Sequence, residues 1–354
     1  MGRRVTVLGL ISFILILVLG GCRGTPKPPE EKFVYVVQTA PPNMLAQLAA
    51  GEIDGFVAWE PFNAQAVLEG KGRYLVTSKD IWKGHPCCVL AVSGALGDRA
   101  VMRALVWAHL KATRFLLEPA NRVKVLQYVA DFTGASRPVA EEGLRNTVFV
   151  EYPDEEAFKE YYRRLQEGGL LKKGYADIGY QSESGFFADF FLRSYYDEVA
   201  ARLAADPGWV PEPVPASVKV RLGYIDRDLH QVQVYVARRE GFYERVGLVP
   251  GRNLEVKGYA NGVAVMEGFK VKDLDAAYLG GAPATLKRVN DNIDIRILGG
   301  ANIEGSAMVV RNGAGIERLR DLAGRTIAVP GLGTVQYYLL EKAVSAENLK
   351  IQMK

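Results

Sequence analysis

Short apolar runs and helix-length stretches alternate near both ends of this chain. The runs 33–37, 53–59 and 74–77 are rich in β-branched and aromatic residues, and the segment between the first two runs is long enough for a helix. The same alternation returns in the runs 218–224 and 253–258. Strands that alternate with helices predict a mainly parallel α/β sheet, in which ligands bind beyond the carboxyl ends of the strands.

The middle of the chain has a different pattern. From 99 to 204, amphipathic stretches with helical spacing follow one another, which predicts an almost wholly helical region. The next residues, 205–216, are rich in proline and break both patterns. They predict a linker.

The first residues predict an export signal. Two arginines precede the apolar run 5–18, and two glycines precede Cys22. A transmembrane anchor is the alternative, but the run is short for a hydrocarbon core of about 30 Å. We therefore expect 1–22 to be a lipoprotein signal, Cys22 to carry the lipid, and 23–32 to tether the protein to the extracytoplasmic face of the cell membrane.

The charge and composition narrow the class of protein. Without residues 1–22, 42 basic and 40 acidic side chains remain, a net charge of +2 that gives no indication of a nucleic-acid partner. A hydrophobic content of 49% over this length is enough for two cores. The sequence therefore favours two domains or lobes.

The remaining cysteines and the histidines predict no metal and no catalysis. Cys87 and Cys88 are too few for a disulfide framework, and their apolar neighbours favour buried strand residues over a redox pair. The 3 histidines and these cysteines lack the usual zinc-ligand spacing, so we expect no bound metal. There is no nucleophile elbow and no identifiable acid–base pair, so we expect neither catalytic residues nor a cofactor.

Two segments of the chain have similar sequences. Residues 274–279 are similar to 53–58, and each segment follows a helix-length stretch. Aligning Asp275 with Asp54 places Gly280-Gly281-Ala282 opposite Trp59-Glu60-Pro61. This similarity predicts two similar lobes that present equivalent strand ends to one cleft.

Four segments together resemble a known family. Residues 51–62, 218–224, 275–284 and 319–330 resemble the solute-binding proteins of nitrate, sulfonate, taurine and bicarbonate ABC importers. The resemblance implies a two-lobe, type II periplasmic-binding-protein fold, with a hinge and a cleft between lobes. It also implies a monomer that delivers a small anionic or zwitterionic molecule to an ABC permease and its ATPase.

The order of these segments departs from the family. Segments that open the family's chain come late here, which predicts a circular permutation. One lobe would combine 33–86 with 317–354, and 87–316 would form the other. A misassembled gene is the alternative.

The permuted order makes two structural predictions. Residues 339–354 should pack beside 33–60, although 349–353 and 33–37 could both claim the same strand. The hinge crossings are predicted at 87–92 and 307–311, which are apolar extended runs.

Glycine-rich turns at the ends of strands are candidate anion sites. Gly333, Thr334 and Gln336 follow the strand 326–329 and open a helix, where Thr334 can cap the first turn and free N–H groups can bind an oxyanion. A tight turn without a ligand is the alternative reading. The resemblance favours binding, and the other lobe would offer the same geometry at Gly280, Gly281 and Ala282.

Polar and aromatic residues at other strand ends complete the candidate site. These residues are Trp59, Glu60, Asp226, His230, Gln231 and Asn302. The indole of Trp59 can wall off a ligand, whereas the Glu60 carboxylate would favour a ligand that also carries an amine or N–H group. The position of His85 fits a role in the cleft and a structural role equally well, and His109 is predicted to pack within a helix.

Other functions stay open at this point. The same fold could bind a pyrimidine or riboflavin-type heterocycle for import, or serve as a sensory surface lipoprotein. The family also resembles enzymes that make the pyrimidine of thiamine. Export argues against that enzyme, because its chemistry needs cytosolic metabolites.

Overall fold

Two mixed β-sheets flanked by helices organise the part of the protein that the computed structural model describes, residues 1–2 and 32–354. Residues 32–354 form one unit. Within the described ranges, no helix is long and apolar enough to cross a membrane. Cys22, with nearly all of the predicted signal and tether, lies outside the described residues.

In chain order, the strands of this part are β1 (Phe33–Gln38), β2 (Gly55–Trp59), β3 (Gly72–Thr77), β4 (Cys88–Ser93), β5 (Thr147–Phe149), β6 (Val220–Ile225), β7 (Leu254–Tyr259), β8 (Ala276–Gly280), β9 (Ile295–Gly300), β10 (Asn302–Glu304), β11 (Ser306–Arg311), β12 (Thr326–Val329) and β13 (Lys350–Met353). The helices are α1 (Pro41–Ala50), α2 (Phe62–Leu68), α3 (Ser78–Ile81), α4 (Arg99–Leu117), α5 (Arg122–Thr133), α6 (Arg137–Asn146), α7 (Glu155–Glu167), α8 (Glu183–Phe190), α9 (Arg193–Ala205), α10 (Gln233–Arg239), α11 (Phe242–Arg245), α12 (Gly262–Lys270), α13 (Gly281–Asn290) and α14 (Val335–Ser345).

The two large sheets share one plan. The first has the strand order β13-β1-β12-β2-β11-β3, and the second has the order β7-β6-β8-β4-β9. In the first sheet β12 is parallel to β1 and β2, and β11 is antiparallel to β2 and β3. In the second, β6 is parallel to β7 and β8, and β4 is antiparallel to β8 and β9. The α/β class is confirmed, and each sheet is mixed but mainly parallel, because only β11 in the first and β4 in the second run against the other strands.

Equivalent aspartates precede the strands of the two similar segments. Asp54 stands just before β2, and its Oδ2 accepts a hydrogen bond from the N–H of Thr326 at 2.9 Å. Asp275 stands just before β8, and its Oδ2 accepts from the N–H of Arg221 at 2.8 Å. Each carboxylate joins its strand to the start of the neighbouring parallel strand, so the two segments occupy equivalent places in the two sheets.

The C-terminal residues lie beside the first strand. β13 runs parallel to β1, with Lys350 opposite Phe33 and Met353 opposite Val36. On its other side β1 pairs with β12. The predicted packing of 339–354 beside 33–60 is therefore present, and the two segments that could claim one strand form neighbouring strands instead.

The chain passes between the sheets at two segments that lie side by side. The first crossing covers 85–87, before β4, and the second covers 301–305, before β11. The N–H of Glu304 donates to the carbonyl of His85 at 3.3 Å. The short sheet of β5 and β10 holds the second crossing against the helical region.

The predicted crossings, 87–92 and 307–311, coincide with β4 and β11 inside separate sheets. Their apolar runs reflect burial in a sheet interior, and the changeover occurs in the few residues before each strand. The chain thus returns to the first sheet at Ser306 rather than near 316.

Helices fill the middle of the chain as predicted. The six helices α4 to α9 occupy most of 99–204, and the proline-rich residues after Ala205 contain neither helix nor strand. Val214 in this linker is buried, and its N–H donates to the carbonyl of Val246 at 2.8 Å. The linker therefore follows the protein surface instead of extending freely.

Candidate functional site

A small cavity lies where the strand ends of the two sheets meet. It measures about 20 Å³, which is room for about one water molecule. It is lined by Trp59, Cys87, Cys88, Ile225, Asp228, His230, Gly262, Gly280, Pro283, Thr334, Val335 and Gln336. We call this space the strand-end cavity. Five of these residues were predicted from the sequence, namely Trp59, His230, Gly280, Thr334 and Gln336.

The first sheet contributes an aromatic wall and a helix start. Trp59 ends β2 and is buried, and its indole Nε1 has no hydrogen-bond partner among the described residues. Thr334 caps α14, because its hydroxyl oxygen accepts from the N–H of Tyr337 at 3.3 Å and its O–H donates to Gly331 at 2.7 Å. The predicted cap is present, and it places the start of α14 at the cavity wall.

The second sheet contributes a cluster of buried ionisable groups. The Nδ1 of His230 lies 3.4 Å from the Sγ of Cys87, and its Nε2 lies 2.9 Å from the carbonyl oxygen of Gly305. The Sγ of Cys88 lies 4.0 Å from that of Cys87. Asp228 holds the backbone here, because its Oδ1 accepts from the N–H of His230 at 3.1 Å.

Burial and mutual charge shift the pKa values of this cluster in opposite directions. The hydrogen bond from Cys88 and the neighbouring His230 lower the pKa of Cys87 well below its usual range, whereas burial raises the pKa of Cys88. Burial also raises the pKa of Asp228 to about 7. Burial alone would lower the pKa of His230, but the charge of Cys87 and then of Asp228 raises it to about 9. These shifts favour the ionised form of Cys87 over that of Cys88, and the protonated form of His230.

Glu60 lies outside the strand-end cavity. Its carboxylate accepts from the N–H of Ala64 at 3.0 Å and from the side-chain amide of Asn146 at 2.9 Å, and burial raises its pKa. It lines a second cavity of about 50 Å³ next to α6. Its backbone carbonyl, however, accepts from the N–H of Leu229 and so connects the two sheets.

Three other predicted residues do not line the strand-end cavity. Asp226 is exposed and lies against Gly258. Gln231 is buried one layer behind the wall, where its Oε1 accepts from the N–H of Ile225 at 2.7 Å. The Oδ1 of Asn302 accepts from the N–H of Cys88 at 3.0 Å and its carbonyl accepts from the N–H of Cys87 at 3.2 Å, so Asn302 joins the second crossing to the first crossing and to β4.

The glycine turns are partly occupied by the protein itself. The N–H of Gly281 donates to the carbonyl of Cys87, and a Cβ at Gly281 would lie 2.5 Å from Phe158. Ala282 is buried in the first turn of α13. Gly333 has a φ of +78° and packs against Leu286. These three residues shape the turns and do not line the cavity.

The sequence reasoning missed the roles of three lining residues. Cys87 and Cys88 read as strand residues, and Asp228 was hidden in a polar loop. Cys87 and His230 are 143 positions apart in the chain. Only the pairing of β4 with β8, and of β8 with β6, brings them together. The adjacent Cys87-Cys88 pair at a strand start was the available signal.

The other histidines and the larger grooves lie elsewhere. His85 is buried in the first crossing, with its Nδ1 3.2 Å from the carbonyl oxygen of Pro86. His109 is buried within α4, as predicted. Two open grooves of about 500 and 620 Å³ contain none of the predicted residues: the first lies between α7 and α14, and the second lies at the starts of β6 and β7.

The strand-end cavity lies beyond the carboxyl ends of β2, β6, β8 and β12, the edge at which α/β sheets bind their ligands. The chain belongs to the NMT1-like family, whose model matches residues 26–130 and 214–354, more than half of the sequence. The match leaves out most of the helical middle.

Parts of the chain are similar to curated transport proteins of cyanobacteria. The nitrate import ATP-binding protein NrtC of Synechocystis sp. is 33% identical over 125 residues, which cover 34% of this chain and 18% of that protein. The bicarbonate transport ATP-binding protein CmpC of Synechococcus elongatus is 36% identical over 98 residues, 27% of this chain and 15% of that protein. The nitrate/nitrite binding protein NrtA of Nostoc sp. is 24% identical over 141 residues, which cover 38% of this chain and 31% of that protein. The chain spans less than a third of the length of these relatives.

Two solved structures show a weak overall likeness. The periplasmic binding protein AgaA from A. tumefaciens R10, in complex with agropinic acid, has a TM-score of 0.33 and 10% identity, covering 77% of this chain and 54% of that one. The periplasmic murein tripeptide binding protein MppA, in its unliganded open form, has a TM-score of 0.26 and 10% identity, covering 80% and 54%.

Proposed function

We propose that this chain is an extracytoplasmic solute-binding protein, anchored by a lipid on Cys22, that delivers a small anionic or zwitterionic molecule to an ABC permease and its ATPase. Family membership and the nitrate and bicarbonate transport named for its relatives support the proposal. The signal-like segment before Cys22 supports export. The proposal assigns no chemical step to the protein.

The strand-end cavity carries this proposal. The buried indole N–H of Trp59 has no partner among the described residues, and a ligand oxygen can satisfy it. The first N–H groups of a helix have no partner inside the helix, and α14 begins at the same wall. Two sources of N–H donors beside one cavity suit an oxyanion such as nitrate, bicarbonate or a sulfonate.

Solute entry requires the two sheets to move apart. The cavity of about 20 Å³ holds about one water molecule, which is less than any of these solutes occupies. The side-by-side crossings allow such a movement by hinge bending. In this proposal the solute binds between the separated strand ends and stabilises a closed form around itself.

We also propose that the lobes occur in permuted order, with the first lobe built from both ends of the unit. The pairing of β13 with β1, and of β1 with β12, supports this proposal because residues from both ends share one sheet. The segment after Ala205 would then join the ends of the family's usual chain.

A thermal-shift screen of the chain without residues 1–23 tests the binding proposal. Nitrate, nitrite, bicarbonate, taurine and alkyl sulfonates are the candidate ligands, and one of them should raise the melting temperature of the metal-free protein because it binds only the folded state. If none of these solutes raises the melting temperature, the proposal is wrong.

A tryptophan pair tests the site. Trp59→Phe keeps the ring and removes the N–H, so we expect the affinity for the ligand found in the screen to fall about tenfold. Trp107→Phe is the matched control, because Trp107 is equally buried but donates its N–H to Trp209 at 2.7 Å, away from the cavity. Calorimetric titration should show weaker binding for the first variant only. Equal affinities would remove Trp59 from the site.

A further inference from the structure

Two cysteines and a histidine that are far apart in the sequence form a compact donor set at the strand-end cavity. The ligand atoms of Cys87, Cys88 and His230 all lie within 4.8 Å of one another, and all three side chains are buried. We infer that these residues bind a thiophilic d¹⁰ cation, Zn²⁺ or Cu⁺. The inference does not depend on the anion-binding proposal, because the three ligands need no solute to come together.

The distances between donor atoms fit such an ion. In a tetrahedral site with bonds of about 2.3 Å to sulfur and about 2.0 Å to nitrogen, neighbouring donors lie about 3.5–3.8 Å apart. The Sγ of Cys87 lies 3.4 Å from the Nδ1 of His230 and 4.0 Å from the Sγ of Cys88. The third separation, between the Sγ of Cys88 and the ring of His230, is within 4.8 Å, so a movement of up to about 1 Å would complete the geometry.

The second nitrogen of His230 is held as metal-bound imidazoles usually are. A ligating histidine generally donates its other ring N–H to a carbonyl or carboxylate, which fixes the ring and its tautomer. The Nε2 of His230 lies 2.9 Å from the carbonyl oxygen of Gly305. Gly305 can approach so closely only because it has no side chain, since a Cβ there would lie 2.2 Å from the same nitrogen.

A carboxylate stands next to the remaining position. The Asp228 oxygens lie 3.5 Å from the Nδ1 of His230 and 3.9 Å from the Sγ of Cys88, again near the edge length of a tetrahedron. Two sulfur donors favour Zn²⁺ or Cu⁺ over the hard cations Mg²⁺ and Ca²⁺, which prefer oxygen.

The size and the position of the cavity also suit an ion. About 20 Å³ accommodates a single small guest, and a cation there would compensate the cost of burying thiolates. Cys87 belongs to the first crossing, and the other two ligands belong to the second sheet or its loops. The three ligands therefore stay together when the sheets separate, and the ion can enter through the opened cleft.

Metal titration of the chain without residues 1–23 tests the inference. The protein is stripped of metal with a chelator, kept reduced without oxygen in a buffer free of the candidate anions, and titrated with Zn²⁺ or Cu⁺ against a competing chromophoric chelator. We expect one ion per chain for the wild type. Cys87→Ser, Cys88→Ser and His230→Ala should each weaken binding by more than about 100-fold, because each removes a direct ligand.

His109→Gln is the matched control, since His109 is also buried and bonded to a carbonyl but has no cysteine beside it among the described residues. It should keep the affinity of the wild type. Co²⁺ provides a second readout, because a sulfur-to-cobalt charge-transfer band should appear in the wild type and weaken in both cysteine variants. Circular dichroism shows which variants are folded, and Cys87→Ala replaces Cys87→Ser if the serine variant is not.

Two results would overturn the inference. One is a folded, reduced wild type that binds neither Zn²⁺ nor Cu⁺ in a one-to-one ratio. The other is binding that the folded cysteine variants retain at full strength, which would identify adventitious metal. The anion screen uses metal-free protein, and the metal titration contains no anion ligand. Each experiment therefore tests its own proposal, and failure of one proposal does not decide the other.

Discussion

His109 is bonded at both ring nitrogens inside the second half of the molecule. Its Nε2 lies 2.7 Å from the carbonyl oxygen of Gly300, and its Nδ1 lies 3.0 Å from the hydroxyl of Tyr278. The neutral ring satisfies both contacts, with Nε2–H as donor and Nδ1 as acceptor of the tyrosine O–H. Burial lowers the pKa of His109 from 6.5 to about 4.

This residue should make the protein sensitive to acid. The unfolded chain binds a proton at His109 below pH 6.5, whereas the folded chain does so only near pH 4, so the free energy of unfolding falls between these values. We expect His109 to account for a loss of about 2–3 kcal/mol between pH 7 and pH 4.5. Urea unfolding of the wild type and His109→Gln at both pH values measures it. If the two proteins lose the same stability on acidification, His109 is not responsible.

The loop from 226 to 230 shows why some site residues could not be chosen from the sequence. Arg227 has a φ of +58°, which turns the chain sharply. Asp226 is exposed on one side of this turn, whereas Asp228 and His230 are buried on the other. A polar loop at a strand end was visible in the sequence, but the backbone angle of one arginine decides which carboxylate faces inward.

At the scale of elements, β13 is an addition to a sheet that is already complete. The other five strands of the first sheet match the five strands of the second. Among the side chains of β13, those of Lys350, Gln352 and Met353 are exposed and that of Ile351 is half-buried. The strand therefore contributes mainly backbone hydrogen bonds to β1.

Removing residues 350–354 should leave the protein folded. We expect a loss of less than about 2 kcal/mol, because little apolar surface becomes exposed. The single substitution Val36→Ala should cost about 2 kcal/mol or more, since Val36 is fully buried in the neighbouring strand. Denaturant midpoints of both variants provide the comparison. A larger loss for the truncation than for Val36→Ala would show that β13 is integral to the sheet.

Local chemistry predicted individual elements well. Thr334 after a glycine turn indicated the start of α14, and the apolar run 326–329 matches β12 residue for residue. The same reasoning overestimated the turn before α13 as an anion site. The N–H of Gly281 is already bonded to Cys87, a partner that no local pattern could reveal.

For the whole molecule, the proposed permutation can be tested by rearranging the chain. A chain that starts at Gly208, continues to Lys354, and then runs from Lys32 to Pro207 would open the exposed linker. Because β13 and β1 are parallel, the new junction needs a flexible segment of about a dozen residues to return along the sheet.

We expect this rearranged chain to fold with a cooperative thermal transition, since the cut breaks no helix or strand. Circular dichroism and the melting temperature measure the outcome, and the original order is the control. A rearranged chain that aggregates or melts without cooperativity would contradict the prediction. Retention of metal or solute binding would then show whether the strand-end cavity forms again.

The fold class and the helical middle could be predicted because both rest on periodic burial. The residues that line the strand-end cavity could not be predicted, because the order of the strands in the sheets determines which residues meet there. Cys87 and His230 meet across three strands of one sheet, and no spacing rule connects positions 143 apart. The family resemblance indicated where a cleft should lie, but not which buried groups would face it.

The two crossings run side by side, and this limits how the halves can move. Because the two crossings are hydrogen-bonded to each other through Glu304 and His85, they define a single hinge axis, about which bending is easier than twisting. Cys87 belongs to the first crossing and lies near this axis, where displacement is smallest, whereas Trp59 moves with the first sheet. Opening of the cleft would thus move the indole of Trp59 away, while the sulfur of Cys87 and the imidazole of His230 keep their positions relative to each other.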